Sequence, residues 1–254
     1  MRGWWREIAG LVLPVACGGC GSPRTSLCAP CARALYGSAA RRVRPAPEPA
    51  GLPAVHAAAS YVDPVRSVLL AHKERGALGL AGPLGLALAG AVRAAAGPSA
   101  AAEAGPLLLV PVPSARRAVR ARGHDPTRRI ALAAAARLRN TGRAARVLPV
   151  LRQSREVADQ SGLGARARLA NMAGALEVVR GGERLLGDGP VVLVDDLMTT
   201  GASLAEAARA LSAVHGSSTG GFTRTRAAVV AAVPRLFEIN RNCRGTRNVA
   251  GGER

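Results

Sequence analysis

Short apolar runs recur along the chain and alternate with segments whose apolar residues fall on one helical face. The runs are short and rich in aliphatic residues, which predicts buried strands. They cover Val55–Tyr61, Leu107–Pro113, Val147–Leu151, Val191–Val194 and Ala227–Val233. Helical patterns follow Asp63-Pro64, and also cover Leu78–Ala96, Arg128–Leu138 and Leu204–Val214. This alternation indicates an α/β fold with a parallel, doubly wound sheet.

The stretch that carries the most chemistry follows the strand Val191–Val194. Asp195 and Asp196 come directly after that strand, where α/β sheets place their ligand sites. The turn Thr199–Ser203 is rich in hydroxyl groups and leads into a helix, whose N-terminus favours an anion. Because carboxylates repel phosphate, we expect the turn to hold a phosphate and the aspartates to bind hydroxyl groups of an attached sugar.

Two other kinds of site contain similar residues, and the position of one lysine excludes both. A receiver domain also has adjacent aspartates after a strand, but it needs a lysine late in the same fold. A Walker-type P-loop needs Gly-Lys followed by Ser or Thr. Lys73 is the only lysine, lies far upstream of the aspartates and is followed by Glu74. The stretch is therefore interpreted as a ribose-phosphate site.

Charge and composition narrow the class of protein. The 254 residues include 35 Lys and Arg but only 16 Asp and Glu, a net charge of +19. Codon bias in a GC-rich genome explains arginine in place of lysine, but it does not explain so few acids. We therefore expect affinity for polyanions without sequence-specific recognition. The longest uncharged stretch, Ala77–Val92, is short and interrupted by Gly and Pro, so we expect no membrane span and a cytoplasmic protein.

Two Cys-x-x-Cys pairs, Cys17/Cys20 and Cys28/Cys31, lie close together near the N-terminus. Four thiolates at this spacing predict a closed, structural zinc site. The separation of the pairs is shorter than in a usual zinc ribbon, so the loop between them must be a tight hairpin. A redox motif is the alternative, but such a motif stands alone in a thioredoxin-like unit. Two pairs without that context favour zinc.

Composition divides the chain into four segments. Residues 1–44 carry the two cysteine pairs, residues 45–54 form a Pro-rich linker, and residues 55–235 contain all the predicted strands. The first 16 residues superficially resemble a signal peptide, but Glu7 and a short apolar part favour an amphipathic lead-in. Residues 236–254 show no periodicity, and we expect a disordered tail.

An arginine-rich segment, Ser114–Asp125, follows the predicted strand Leu107–Pro113. Its arginines are Arg116, Arg117, Arg120 and Arg122. Guanidinium groups match the geometry of phosphate oxygens, so this loop is a candidate diphosphate site. The alternative is a solvated basic loop.

Two family resemblances follow from these motifs. Residues 191–203 resemble the phosphoribosyl diphosphate (PRPP) signature of type I phosphoribosyltransferases. They consist of an apolar run, two acids, three spacer residues and Thr-Gly-Ala-Ser. Val-Pro-Val-Pro at residues 110–113, followed by Arg-Gly-His-Asp, resembles the ComF/GntX (competence protein F-like) branch of that superfamily. The residues that match the same branch before Gly174–Leu176 are Arg152, Gln160, Leu163, Arg168 and Asn171. The resemblance covers about residues 10–235.

The resemblance implies a type I phosphoribosyltransferase fold behind a small zinc-ribbon-like module with four cysteine ligands. In such a fold Asp195 and Asp196 would contact the ribose 2′ and 3′ hydroxyls, and Thr199–Ser203 would wrap the 5′-phosphate. The implied PRPP-binding residues are Asp195, Asp196, Thr199, Thr200, Gly201, Ala202, Ser203, Arg116 and Arg122. The implied catalytic residues are Asp195, Asp196 and Arg152, and the implied residues of a mobile hood over the ligand are Gln160, Arg168 and Asn171.

The implied function is binding of PRPP with Mg²⁺ and transfer of its phosphoribosyl group to a nitrogen acceptor that the sequence does not identify. The alternative is a non-catalytic accessory protein for DNA uptake, because ComF relatives are associated with competence. Such a protein would retain the PRPP pocket and bind single-stranded nucleic acid through its basic surface. The expected metals are Mg²⁺ with PRPP and a structural Zn²⁺ on Cys17, Cys20, Cys28 and Cys31.

Overall fold

The computed structural model describes residues 16–97, 105–157, 164–215 and 225–237. The predicted lead-in over residues 1–15 and residues 238–254 of the predicted tail lie outside the described residues. Gln160 and Leu163 of the predicted hood also lie outside them.

A mixed six-stranded sheet forms the centre of the described chain, with the strand order β1-β2-β8-β7-β3-β4. The strands are β1 Arg41–Val43, β2 Ala54–Ser60, β3 Leu107–Pro111, β4 Ala145–Val147, β5 Leu151–Gln153, β6 Leu176–Val178, β7 Val191–Met198 and β8 Arg226–Ala232. Within the large sheet β1 pairs antiparallel with β2, and the other neighbours pair parallel. Strands β5 and β6 form a separate antiparallel pair. The predicted α/β fold is confirmed, but the sheet is mostly parallel, not wholly parallel as predicted, because β1 joins its edge antiparallel.

Helices cover both faces of the sheet. They are α1 Ala29–Tyr36, α2 Val65–Glu74, α3 Ala81–Ala96, α4 Arg116–Arg122, α5 Pro126–Asn140, α6 Ala165–Met172, α7 Gly182–Leu186 and α8 Ala202–His215. Alternate residues of each strand point to opposite faces. Val192 and Val194 of β7 therefore join the core under α2, α3 and α5, while Val191 and Leu193 join the core under α8 and the β5–β6 pair.

Close helix contacts compensate for the scarcity of aromatic residues in the core. The largest fully buried side chains are those of leucine and isoleucine, such as Leu88 and Ile130. At Gly85 of α3, a Cβ atom would lie only 2.4 Å from the Cβ of Ala133 on α5. Glycine and alanine thus let the two helices approach closely enough to fill the space that larger side chains fill elsewhere.

One apolar stretch, Leu78–Ala96, reaches the length and hydropathy of a membrane span, with a mean hydropathy of 1.5. The sequence predicted that no stretch would do so, and by length and composition that prediction was wrong. Half of the stretch is buried inside the protein, where Leu84, Leu88 and Val92 belong to the core against the sheet. A buried core helix passes the same test, so the stretch is weak evidence for a membrane span.

The predicted strand Val147–Leu151 is divided between two sheets. Its first residue ends β4 in the large sheet, and its last residue begins β5 in the small one. Leu148 still donates its amide to the Leu109 carbonyl at 2.8 Å, but Pro149 has no amide hydrogen with which to continue the ladder. The chain therefore leaves the large sheet at this proline and builds the β5–β6 pair.

The Arg-rich segment after β3 also differs from its prediction as a loop. Residues Arg116–Arg122 form the helix α4, which ends at Gly123 in the left-handed conformation (φ 73°). Alanines and arginines are good helix formers, which explains why the segment becomes helical. Farther upstream, Arg41–Val43 pair with β2 although they precede the Pro-rich linker. The domain boundary at residues 45–54 remains a prediction.

The adjacent strands β3 and β7 mark a change of direction in the sheet. From β3 the chain continues through α5 to β4 on one side, and from β7 it continues through α8 to β8 on the other. The two connecting helices pack on opposite faces. Open α/β sheets bind ligands in the crevice beyond the carboxyl ends of such diverging strands. The Arg-rich helix α4 follows β3, and the aspartate pair, predicted to follow its strand, lies within β7 near its carboxyl end.

Candidate functional site

Strand β7 carries both aspartates near its carboxyl end, where their side chains occupy different environments. Asp196 is 6% exposed, and its Oδ2 accepts a hydrogen bond from Lys73 Nζ at 2.7 Å. Lys73 lies next to the last residue of α2. The carboxylate of Asp196 raises the pKa of Lys73. The ion pair therefore fixes a positive and a negative charge at the edge of the sheet.

Asp195 is partly buried and lies beside this ion pair. Its Oδ1 accepts the backbone amide of Asp196 at 2.8 Å. Burial, and then the charge of Asp196, raise the pKa of Asp195 well above its ordinary value of 3.8, although Lys73 acts in the opposite direction. A carboxyl group with a strongly perturbed pKa at a strand end is a candidate functional group.

Replacing Lys73 is expected to expose the cost of the buried Asp196 charge. The Lys73→Gln variant leaves Asp196 without its ion-pair partner, and breaking a buried ion pair costs about 3–5 kcal/mol. Because the Lys73 side chain is 33% exposed, water screens part of this charge, and we expect a loss of about 1–3 kcal/mol. Urea unfolding at neutral pH measures the loss. The double variant Lys73→Gln/Asp196→Asn should recover part of the lost stability. If the losses of the two single variants simply add in the double variant, the two side chains do not stabilise each other.

The turn after β7 has the backbone geometry of an anion cradle. Gly201 adopts a φ of +80°, a conformation that favours glycine, and a Cβ there would lie 3.0 Å from Leu52. Thr200 is buried, and its hydroxyl lies 3.4 Å from the amide of Ala202, the first residue of α8. The positive end of the helix dipole at the start of α8 favours a bound anion.

A side chain from the predicted hood reaches this turn. Arg168 of α6 donates from Nη1 to the Thr199 hydroxyl at 2.9 Å. Its Nε is buried without a hydrogen-bond partner in the described structure. Because buried donors are nearly always satisfied, an acceptor in the turn would complete this side chain.

The small β5–β6 sheet that accompanies α6 is anchored to α8. Glu206 is 6% exposed and accepts the Leu176 amide at 3.0 Å, and two nitrogens of Arg209 donate to it at 2.8 Å. Burial works against the charge of Glu206, but the hydrogen bonds from Arg209 and Leu176 outweigh it and lower its pKa. Asn171 lies on α6, and its carbonyl accepts Arg155 Nη2 at 2.9 Å.

The remaining predicted arginines form no hydrogen bond or ion pair with the aspartates in the described part of the chain. Arg122 forms a two-point ion pair with Glu74, at 2.7 and 2.8 Å, next to Lys73. Arg116 is exposed on α4. Arg152 pairs with Glu177 at 2.8 Å across β5 and β6. Within the described part of the chain, no hydrogen bond or ion pair joins Arg116 or Arg152 to the aspartates. Their roles remain predictions.

The four cysteines of the two Cys-x-x-Cys pairs come together in one four-cysteine cluster. The Sγ atoms of Cys17, Cys20, Cys28 and Cys31 all lie within 4.8 Å of one another. A tight hairpin supports the first pair, since the Cys17 amide donates to the Ser22 carbonyl at 2.8 Å. Sulfur atoms at this spacing suit a tetrahedral ion with metal–sulfur bonds of about 2.3 Å. The cluster could hold a metal ion such as zinc.

Backbone amides tune the thiols of the cluster. Burial opposes ionisation of Cys17, but backbone hydrogen bonds from Cys20, Cys28 and Gly19 lower its pKa to about 6. Burial raises the pKa of Cys31, and the other three cysteine sulfurs raise it further. Thiolates are the form that binds metals, and a divalent cation would offset the repulsion among them.

The four-cysteine cluster packs directly against α2, the helix that carries Lys73. A Cβ added at Gly19 would lie 2.7 Å from Cys31 Sγ and 3.0 Å from Pro64, at the start of α2. A Cβ at Gly18 would lie 3.5 Å from the Cβ of Ala71, near the end of that helix. The glycines of the first knuckle therefore allow a close contact with both ends of α2.

Lys73 is the residue of the candidate site that the sequence indicated least well. The only available signal was its identity, because it is the sole lysine in a chain whose other basic residues are all arginine. Its partner Asp196 lies 123 residues away, so no local pattern joins the two.

No family model matches the chain, and no curated protein matches it.

Proposed function

We propose that the protein binds PRPP together with Mg²⁺ and transfers the phosphoribosyl group to a nitrogen acceptor, as the ComF-like resemblance implies. The proposal rests on one observation: two carboxyl groups, a hydroxyl-rich helix N-terminus and an incompletely satisfied arginine meet at the diverging strands of a parallel sheet. Two contacts define this site: Lys73 pairs with Asp196, and Arg168 donates to the Thr199 hydroxyl. A type I phosphoribosyltransferase fold would place its ligand at the same edge.

The parts of the ligand match the parts of the site. The ribose hydroxyls would donate to Asp195 and Asp196, and the 5′-phosphate would accept amides of Thr199–Ser203 together with the free Nε of Arg168. The diphosphate would extend towards α4, with Arg116 and Arg122 as its cationic neighbours. Mg²⁺ prefers oxygen ligands, and when bound to the diphosphate it would neutralise charge on the leaving group.

The transfer itself requires mainly positioning and electrostatic stabilisation. The bond between ribose C1′ and the diphosphate oxygen breaks, a C1′–N bond to the acceptor forms, and the nitrogen releases its proton to water. Positive charge develops on the ribose while negative charge moves to the departing diphosphate. Asp195 and Asp196 offset the first charge and the arginines of α4 offset the second. In the free protein Lys73 forms an ion pair with Asp196.

Isothermal titration of the full-length protein with PRPP and Mg²⁺ tests the proposal directly. We expect saturable binding with one ligand per chain, and competition by ribose 5-phosphate. A screen of purines, pyrimidines and amines for PRPP-dependent diphosphate release then identifies the acceptor. No heat of binding at millimolar PRPP, from a protein with an intact fold by circular dichroism, would refute the proposal.

A second function, binding of single-stranded nucleic acid in DNA uptake, is favoured by the distribution of arginines. Arg116, Arg117 and Arg120 are exposed together on α4. The chain contains no acid between Asp125 and Glu156, while arginines continue through α5 and beyond. A surface with one sign of charge attracts the phosphate backbone without reading bases. This binding is compatible with a retained PRPP pocket.

Removing the three α4 arginines is expected to weaken binding of single-stranded DNA and to flatten its salt dependence. Each phosphate contact to a single strand contributes about 0.7 to the slope of log K against log salt, so Arg116→Gln/Arg117→Gln/Arg120→Gln should reduce the slope by about 2. Fluorescence anisotropy with an oligothymidylate at several salt concentrations measures this. An Arg180→Gln/Arg184→Gln variant, altered at two exposed arginines on another segment, is the control. An unchanged slope in the α4 variant would exclude this surface.

Localisation and zinc complete the proposal. A cluster of four cysteines without disulfides fits a reducing compartment, so we propose a cytoplasmic protein. We propose that zinc binds to the cluster and has a structural role, since four protein ligands leave no open coordination position for substrate.

A further inference from the structure

A small cavity lies directly beside the Thr199–Ser203 turn, on the side of β8. Three separate parts of the chain line it: the Pro-rich segment before β2, helix α6, and the residues after β8. Its walls are formed by Pro45, Pro47, Leu169, Leu236, Arg166 and Arg235. Thr199 and Thr200 of the phosphate turn complete the lining, so a molecule in the cavity would contact the turn itself.

The size of the cavity limits what it can hold. Its volume is about 130 Å³. A cavity of about 150 Å³ in another protein holds one benzene molecule, so the space here suits a single six-membered ring.

The walls combine apolar surfaces with two cationic side chains. Pro45 and Leu236 are buried, and Leu169 is partly buried, so they form apolar surfaces suited to the faces of a planar ring. Arg166 and Arg235 are exposed at the cavity, and neither forms an ion pair with any described residue. Guanidinium groups pair with carboxylates through two parallel hydrogen bonds.

Phosphate is a weaker candidate for this cavity than a ring. The adjacent turn already offers amides, hydroxyls and Arg168 to a phosphate, whereas the cavity offers proline and leucine surfaces. Apolar walls would remove water from a phosphate without replacing its hydrogen bonds, which is unfavourable. A ring that carries an acidic substituent satisfies the apolar walls and the arginines together.

We infer that this cavity is the acceptor subsite, and that it takes a single-ring nitrogen heterocycle bearing a carboxylate. The inference rests on the proposed phosphoribosyl transfer, because the cavity opens on the turn that would hold the 5′-phosphate. Arg166 and Arg235 determine the specificity by pairing with the carboxylate, while the prolines and leucines contact the ring. Neutral rings, purines included, lack an anionic group to pair with the arginines.

The experiment compares two single-ring carboxylates, orotate and nicotinate, with two purines, adenine and hypoxanthine, in titrations of the full-length protein. We expect the carboxylates to bind and the purines to bind at least about tenfold more weakly, because purines lack the carboxylate that accepts charged hydrogen bonds from the two arginines. In the Arg166→Gln/Arg235→Gln variant, carboxylate affinity should fall by a similar factor, while PRPP affinity stays at the wild-type value. Arg180→Gln/Arg184→Gln is the matched control and should leave both affinities unchanged.

Each of the other possible results refutes either the acceptor subsite or the proposed phosphoribosyl transfer, but not both. Purines that bind as tightly as the carboxylates, or carboxylates that bind nowhere, refute the acceptor assignment while PRPP titration still supports the proposed function. Loss of PRPP affinity in the Arg166→Gln/Arg235→Gln variant assigns these arginines to the phosphate and refutes the acceptor subsite. Arginine-dependent binding of orotate or nicotinate without any PRPP binding retains the carboxylate cavity and refutes phosphoribosyl transfer.

Discussion

The variant Asp195→Asn/Asp196→Asn is expected to lower PRPP affinity at least about 100-fold and to abolish PRPP-dependent diphosphate release. A hydrogen bond to a charged group contributes about 1.5–3 kcal/mol, and two ribose hydroxyls would each lose one. Since about 1.4 kcal/mol corresponds to a factor of ten, the two losses together reach this size. Asparagine keeps the shape of the side chain but removes the negative charge that stabilises a cationic ribose. Titration calorimetry and a diphosphate assay measure the two effects.

The single variants should affect stability in opposite directions. The pKa of Asp195 is raised in the folded protein, so over the range above pH 3.8 the folded state holds a proton that the unfolded chain has released. The free energy of unfolding therefore falls as the pH rises from 3.8 to the pKa of Asp195 in the folded protein. Above that pKa the whole of this loss in stability remains. Asp195→Asn removes the cost and should raise the melting temperature at pH 8, with a smaller gain near pH 4. Asp196→Asn deprives Lys73 of its partner and should lower the melting temperature.

Asp188→Asn is the matched control for the aspartate variants. Asp188 is exposed and pairs with Arg146 at 3.1 Å on the surface, where an ion pair is worth about 0–1 kcal/mol. Its replacement should change neither PRPP affinity nor diphosphate release. Binding of single-stranded DNA should persist or increase in the double aspartate variant, because removing two acids makes the protein more basic. Wild-type PRPP affinity in that variant would contradict the assignment of the ribose hydroxyls.

The parts of the site that lie within one local pattern were predictable from the sequence. An apolar run, two acids and a small polar turn before a helix are contiguous, and each has its own conformational signal. The structure gives β7 and α8 at these residues. The four-cysteine cluster was predictable for the same reason, since the spacing within each Cys-x-x-Cys pair fixes two ligands at a time.

Contacts between distant residues were not predictable in this way. The pairing of Lys73 with Asp196 depends on the packing of α2 beside β7, and no periodicity in either segment encodes it. The cavity beside Thr199 is likewise built from three separate parts of the chain. The division of Val147–Leu151 was missed because continuous hydrophobicity outweighed Pro149, although a proline without an amide hydrogen is itself a signal for the end of a strand. The sequence predicts elements better than it predicts which elements meet.

Loss of metal from the four-cysteine cluster is expected to reduce both stability and PRPP affinity. Structural zinc contributes an apparent binding energy of about 10–16 kcal/mol in zinc-finger peptides. Even a fraction of this should lower the melting temperature by on the order of 10 °C, since 1 kcal/mol corresponds to about 2–4 °C at this chain length. Affinity should fall as well, because the cluster packs against both ends of α2 and that helix places Lys73 on Asp196.

Two perturbations of the full-length protein separate these effects. Chelation, followed by readdition of zinc, should lower and then restore the melting temperature and the PRPP affinity together. Cys31→Ser removes a buried ligand and should reproduce the chelated state, whereas Cys243→Ser, at the one cysteine outside the two pairs, is the control. Mass spectrometry under native conditions should find one zinc ion per chain, and none in Cys31→Ser. If the metal-free protein melts at a lower temperature yet binds PRPP with undiminished affinity, the cluster stabilises the N-terminal module without positioning Lys73.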